Sequence, residues 1–112
     1  MHEFMEYIFL PTYKRLKTSM ATEPQNKKGW KAIKADSLIL AEGGNLLFLH
    51  QPKKDADDWN KLSVEVRELG AGLYQSARKK DFKAATKNYK AMLLKCNACH
   101  TQFAKGKHQL SP

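Results

Sequence analysis

The stretch that decides the fold is DFKAATKNYKAMLLKCNACHTQF, at residues 81–103. Its apolar side chains recur every three or four residues, which is the period of an α-helix with one buried face. Asp81 stands just before that pattern, and aspartate caps a helix by accepting a hydrogen bond from a free backbone N–H. The buried face is formed by Phe82, Ala85, Tyr89, Met92, Cys96, Cys99 and Phe103. The sequence therefore predicts a long amphipathic helix that needs further helices to cover it.

Two more helices are predicted in the first half of the chain. The first covers about residues 2–20, and Pro11 should kink or break it because proline removes a backbone donor. A loop at residues 22–29 follows, since its composition is rich in residues that favour turns. The second helix covers about residues 30–49, where apolar residues again recur at helical spacing.

The third helix follows a short connection, and either Asp55 or Asp57 can cap its start. No segment alternates between apolar and polar residues as a half-buried strand would. Four amphipathic helices with short connections predict an all-α protein, an antiparallel four-helix bundle. At 112 residues, the chain should form a single domain over residues 1–112.

Neither a membrane span nor a signal peptide is predicted from the sequence. Its longest apolar stretches are far below the roughly 20 residues needed to cross a bilayer. Glu3 and Glu6 lie where a signal peptide would carry positive charge. If the protein works outside the cytoplasm, the sequence is expected to be a mature or trimmed form.

The predicted fourth helix carries the sequence Cys96-Asn-Ala-Cys-His100, which is the motif for attachment of c-type haem. Thiols at Cys96 and Cys99 lie on one helical face, where they can add to two vinyl groups on one edge of a porphyrin. His100 projects from the same face and supplies an axial nitrogen to the iron. The motif predicts one covalent haem c with His100 as proximal ligand. Because such attachment takes place outside the cytoplasm, we expect a periplasmic or equivalent location.

Other uses of two cysteines fit less well. A disulfide between residues three apart would close a small, strained ring. A zinc site needs about four ligands, and the remaining candidates, His2, His50 and His108, have unsuitable spacing. A thioredoxin-like pair opens a helix after a strand, whereas this pair lies near the end of a long helix.

With CxxCH about a dozen residues from its C-terminus, on the last of four helices, the chain resembles the class II c-type cytochromes, the cytochrome c-prime family. The resemblance covers the whole chain in helix order and motif position. Residue identity is strong only at Cys96, Cys99, His100 and Phe103, and Phe103 is expected to pack in the core or against the haem. The chain departs from many family members at Ala104, where they carry Arg or Lys.

The resemblance implies that the haem lies within the bundle and that the first helix supplies the residue on its distal side. Met5 is the first choice, since a thioether ligand raises the potential of a haem iron, although methionine is also a common core residue. His2 is the alternative and would give a low-potential haem with two imidazole ligands. Ile8 is the apolar alternative and would leave the sixth position open to small gases.

The predicted function is electron transfer by a single-haem cytochrome. The competing predictions are a five-coordinate haem protein that binds nitric oxide or carbon monoxide, and a haem subunit of a larger redox complex. An enzyme is not expected, because no acid–base pair or second cofactor is evident. The resemblance also implies a dimer, homodimeric or heterodimeric, through the first two helices.

The chain is basic, with 20 Lys plus Arg against 11 Asp plus Glu and a formal net charge of +9. The lysines are spread over all predicted helices and loops, and the aromatic residues fall mostly on core faces. Nucleic-acid binding would need a concentrated basic patch with exposed aromatics, so it is not expected. The charge instead predicts a solvated surface that steers the protein toward an acidic redox partner.

Overall fold

The computed structural model describes residues 1–112 and contains four helices and no strand. Helix α1 covers residues 2–19 and is α-helical at His2–Phe4, π-helical at Met5–Phe9 and α-helical at Leu10–Ser19. Helix α2 is Lys27–Leu46, followed by a 3₁₀ turn at Leu47–His50, helix α3 is Ala56–Arg78, and helix α4 is Phe82–Phe103. The predicted all-α class with four helices is confirmed.

Pro11 lies inside α1 and does not end it, so the prediction of a break at this residue is wrong. Proline has no N–H to donate to the carbonyl four residues earlier. The wider π turn ends at Phe9, two residues before it, and the Leu10 N–H bonds to the Met5 carbonyl. The Thr12 hydroxyl donates to the Ile8 carbonyl at 2.7 Å. The helix therefore accommodates proline through a change in its hydrogen-bond pattern.

Capping residues set where the later helices begin. Asn26 accepts a hydrogen bond from the Gly29 N–H at 2.9 Å, so α2 starts before the apolar pattern does. Asp81 accepts from the Ala84 N–H at 3.1 Å, which confirms its predicted role as the cap of α4. Asp55 occupies the cap position of α3, but its backbone is left-handed at φ 58° and its side chain makes no capping bond.

Helices α2 and α3 pack in backbone contact. A Cβ added to Gly70 would lie 3.1 Å from the Ala41 nitrogen, and one added to Gly44 would lie 3.0 Å from the Arg67 Cα. Residue numbers rise along one helix as they fall along the other, so the two helices are antiparallel. Small residues are required where the backbones meet, because no side chain fits between them.

Helix α1 packs antiparallel on α2 through two contacts. The Phe9 ring occupies the space in front of Gly43, where an added Cβ would lie 2.6 Å from a ring carbon. Arg15 pairs with the buried carboxylate of Asp36 at 3.0 Å. The first contact fixes the N-terminal half of α1, and the second fixes its C-terminal half.

The hydrophobic core draws residues from all four helices. Its buried members are Leu16, Met20, Trp30, Ile33, Leu40, Val66, Leu73, Ala77, Ala85, Tyr89, Met92 and Leu93. Cys96 is partly buried and packs against this cluster. None of the helices combines the length and apolarity required to cross a lipid bilayer.

Four helix ends lie together at one end of the molecule: the start of α1, the end of α2, the start of α3 and the end of α4. The Phe4 and His50 rings stack with centroids 5.8 Å apart. The Trp59 indole donates to the Leu47 carbonyl at 2.8 Å, and its ring meets the edge of Phe103 at 5.1 Å. The cysteine and histidine motif near the end of α4 therefore lies at the same end of the protein as the first turns of α1.

Candidate haem-attachment site

Cys96, Cys99 and His100 lie on one face of α4, within its last two turns. The helix is continuous through the motif, so the spacings of three and four residues bring these side chains onto neighbouring positions. All three are half-buried, and both cysteines are free thiols. The structure thus brings together the three residues that the sequence assigns to haem attachment.

Both thiols are held in their neutral form. Burial, followed by the neighbouring Cys99 thiol, raises the pKa of Cys96 to about 12, while a backbone hydrogen bond opposes the shift. Burial also raises the pKa of Cys99. A dithiol redox pair needs a thiolate with a lowered pKa, and the negative end of a helix dipole does not supply one. The electrostatics of the pair therefore differ from those of a thioredoxin-like site.

The ring of His100 is oriented by a backbone carbonyl. Its Nδ1 lies 2.8 Å from the carbonyl oxygen of His108. A carbonyl can only accept, so Nδ1 donates its hydrogen and Nε2 keeps a lone pair. Burial lowers the pKa of His100, against the raising effect of the His108 carbonyl. The neutral imidazole with a free Nε2 is the form that binds iron.

Residues 104–112 form a segment, here called the C-terminal strap, that folds back along α4. The side chain of Asn97 accepts from the Leu110 N–H at 2.7 Å and donates to the Leu110 carbonyl at 2.9 Å. The Tyr13 hydroxyl donates to the Ser111 carbonyl at 2.7 Å and accepts from the Ser111 N–H at 3.1 Å. The strap thereby joins α4 to α1.

The strap was not predicted from the sequence. The side chain of His108 is exposed, and its ring meets the His100 ring edge-on, while its backbone carbonyl lies within hydrogen-bond distance of the His100 Nδ1. A backbone contact between distant residues leaves no pattern in residue types. Gly106, with its positive φ of 76°, is the one signal that the chain reverses after the helix.

Phe103 packs in the interface between α3 and α4. Its ring meets the Trp59 ring edge-on, and the adjacent Gln102 amide donates to the Asp58 carboxylate at 2.9 Å. These contacts fix the last turn of α4, and with it the height of His100 along the helix axis. Phe103 is half-buried and packs on Trp59, and its contact with a haem stays a prediction.

The residues predicted for the distal side lie at the motif end of the molecule but do not touch the motif. His2 is exposed and pairs with Glu6 at 3.2 Å. Met5 is half-buried at the start of the π turn, and Ile8 is exposed. No hydrogen bond, ion pair or aromatic contact joins residues 2–9 to α4. The structure therefore does not select among these three residues.

The donor set fits a covalently bound haem. Two neutral thiols share a helical face with an imidazole whose Nε2 is free, and one histidine is enough to bind the iron from this side. No group of three or more His, Cys, Asp or Glu side chains is arranged to hold a metal ion, and haem does not require one.

A cleft of about 290 Å³ lies beside the motif helix. It is lined by Lys90, Leu93, Leu94, Asn97, Leu110 and Pro112. Helix α4 and the C-terminal strap form its walls, and Cys96, Cys99 and His100 do not line it.

No protein-family model matches the chain, and neither a curated protein nor a solved structure matches it.

Proposed function

We propose that this protein is a single-haem c-type cytochrome that transfers electrons outside the cytoplasm. The observation that carries the proposal is the placing of Cys96, Cys99 and His100 on one face of α4. The free Nε2 of His100 supports it further, because Nδ1 is already engaged by the His108 carbonyl. The haem would supply an iron that cycles between ferrous and ferric states.

The two thiols suit the attachment reaction as they stand. Each thiol would add its sulfur to one carbon of a vinyl group and its hydrogen to the other, so no oxidant would be needed. Attachment through both Cys96 and Cys99 would fix the ring relative to α4. His100 would then bind the iron from the same helix.

We place the haem in an antiparallel four-helix bundle, between the end of α4 and the start of α1. Support comes from the common position of these two helix ends. Residues 2–9 make no polar or aromatic contact with α4, so a group could enter between them without breaking such contacts. Met5 would then face the haem as the distal ligand, with His2 as the alternative.

The distal ligand is tested by visible spectra of the haem-loaded protein and of its Met5→Ala and His2→Ala variants. If Met5 binds iron, the parent has low-spin bands that carbon monoxide does not change, and Met5→Ala becomes high-spin and binds the gas. Tyr7→Ala, at an exposed position of the same helix, is the control and should keep the parent spectrum. If neither Met5→Ala nor His2→Ala changes the spectrum, both assignments are wrong.

Binding of a small gas is the second candidate function. It is favoured by the absence of polar or aromatic contacts between residues 2–9 and α4 and by the apolar Ile8 near the same end. In that case the parent protein itself has high-spin bands, which shift when carbon monoxide or nitric oxide is added. The same spectra therefore separate the two functions.

The partner surfaces follow from charge and exposed apolar side chains. The net charge of +9 favours an acidic redox protein as partner, with salt-sensitive contact. Exposed apolar residues on α1, α2 and the 3₁₀ turn support dimerisation through the first two helices. They are Tyr7, Ile8, Leu10, Leu38, Ile39, Leu46 and Leu49.

We expect a dimer when the solution mass is measured by light scattering at rising protein concentration. Replacing Leu46 with Lys should shift the protein to the monomer, since an uncompensated charge in an apolar interface is unfavourable. The matched control is Leu94→Lys, at an exposed position of α4 outside the proposed interface. A parent protein that stays monomeric at every concentration contradicts the homodimer.

A further inference from the structure

The C-terminal strap contacts the ring of His100 through His108. The His108 carbonyl oxygen lies 2.8 Å from the Nδ1 of His100, and the two imidazole rings meet edge-on with centroids 6.3 Å apart. The Gly106 N–H also donates to the His100 carbonyl at 3.0 Å. Asn97 and Tyr13 hold the strap near its C-terminus, and the strap therefore places one hydrogen-bond acceptor at the candidate iron ligand.

The backbone adopts unusual conformations in order to aim that carbonyl. Lys105 and His108 have φ values of 54° and 59°, a left-handed region that residues other than glycine rarely adopt. Such conformations persist only where surrounding contacts hold them. Here the two bonds between Asn97 and Leu110 hold the strap just beyond His108.

A hydrogen bond at Nδ1 changes how strongly the imidazole donates electrons to a metal at Nε2. A carbonyl acceptor at Nδ1 fixes the tautomer and the ring orientation, and it makes Nε2 a stronger electron donor. Stronger donation to a haem iron stabilises the ferric state more than the ferrous state. Loss of such a partner in metal sites commonly changes metal affinity by about 10- to 100-fold.

We propose that the C-terminal strap positions His100 through the His108 carbonyl and thereby lowers the reduction potential of the haem. This inference rests on the proposed haem function. Asn97 acts indirectly, because it holds the strap in place. Asn97 lies between the two cysteines. The motif would therefore contain the residue that anchors the strap, and the strap carries the His108 carbonyl that acts on His100.

The test uses three variants of the full chain. A version truncated after Gly106 removes the carbonyl, Asn97→Leu removes both bonds to Leu110, and Tyr13→Phe is the matched control. The control loses its bonds to Ser111 but keeps the anchor nearest to His108. Two measurements are made on each variant: the tautomer of His100 by ¹⁵N NMR without haem, and the midpoint potential with haem.

In the haem-free parent we expect the hydrogen of His100 on Nδ1, and in the truncated form a mixture of both tautomers. In the haem-loaded protein, truncation should favour ferrous iron about tenfold, which is about 59 mV for a one-electron couple. Asn97→Leu should shift both measurements in the same direction, and Tyr13→Phe should shift them less.

Two results overturn the inference. One is a parent tautomer with hydrogen on Nε2, and the other is an unchanged potential in both the truncated form and Asn97→Leu. The NMR measurement needs no haem, so it separates the two proposals. If the parent has the expected tautomer but never takes up haem, the proposed function is wrong. The contact between the strap and His100 would still hold.

Discussion

Replacing Cys96 and Cys99 together with serine should abolish covalent haem attachment. Serine hydroxyls do not add to vinyl groups under the conditions in which thiols do, so the bond between His100 and iron alone would hold the ring. That bond breaks when the protein is denatured. We therefore expect haem staining on a denaturing gel to be strong for the parent and absent for the double variant.

Single variants and a matched control make this result specific. Cys96→Ser and Cys99→Ser should each keep one thioether and give bound haem with a shifted absorption band. Ala98→Ser introduces the same side chain at an exposed position inside the motif and should stain like the parent. Equal staining of the double variant and the parent would show that the thiols do not hold the haem.

Replacing Gly70 with valine should cause a large loss of stability. A Cβ at this position meets the backbone of Ala41 at 3.1 Å, and the two methyl groups of valine need still more room. Backbone cannot turn aside as a side chain can, so α2 and α3 must separate. Overpacking typically costs 1–3 kcal/mol, and we expect about 3 kcal/mol here in the free energy of unfolding.

Urea unfolding of the haem-free protein, followed by circular dichroism, measures this loss. Gln75→Val, at an exposed position of the same helix, is the control and should change the unfolding free energy by less than about 0.5 kcal/mol. A midpoint for Gly70→Val equal to that of the control would contradict the close packing of α2 on α3.

The helices could be predicted from the sequence because their signals are local. Apolar residues at helical spacing identified all four, and Asp81 caps α4 as expected. Position 26 was missed because the apolar pattern of α2 begins only at Trp30, whereas the cap at Asn26 acts on the turn before it. Of the two predicted effects of Pro11, the break does not occur, since a π turn lets the helix continue.

The candidate site was predictable only in the part that lies on one helix. Cys96, Cys99 and His100 share a face because of their spacing, and the structure keeps that face intact. The strap depends on contacts between residues far apart in the chain, such as Tyr13 with Ser111. Residue types alone do not encode such pairings, and the distal side depends in the same way on where α1 lies relative to α4.

The most direct test of haem attachment is the mass of the purified protein under denaturing conditions. The protein should be produced in cells that export it and that load a control c-type cytochrome. We predict the mass of the chain plus one haem, because two thioether bonds survive denaturation. The mass of the bare chain, obtained from cells in which the control is fully loaded, would contradict the assignment of Cys96, Cys99 and His100.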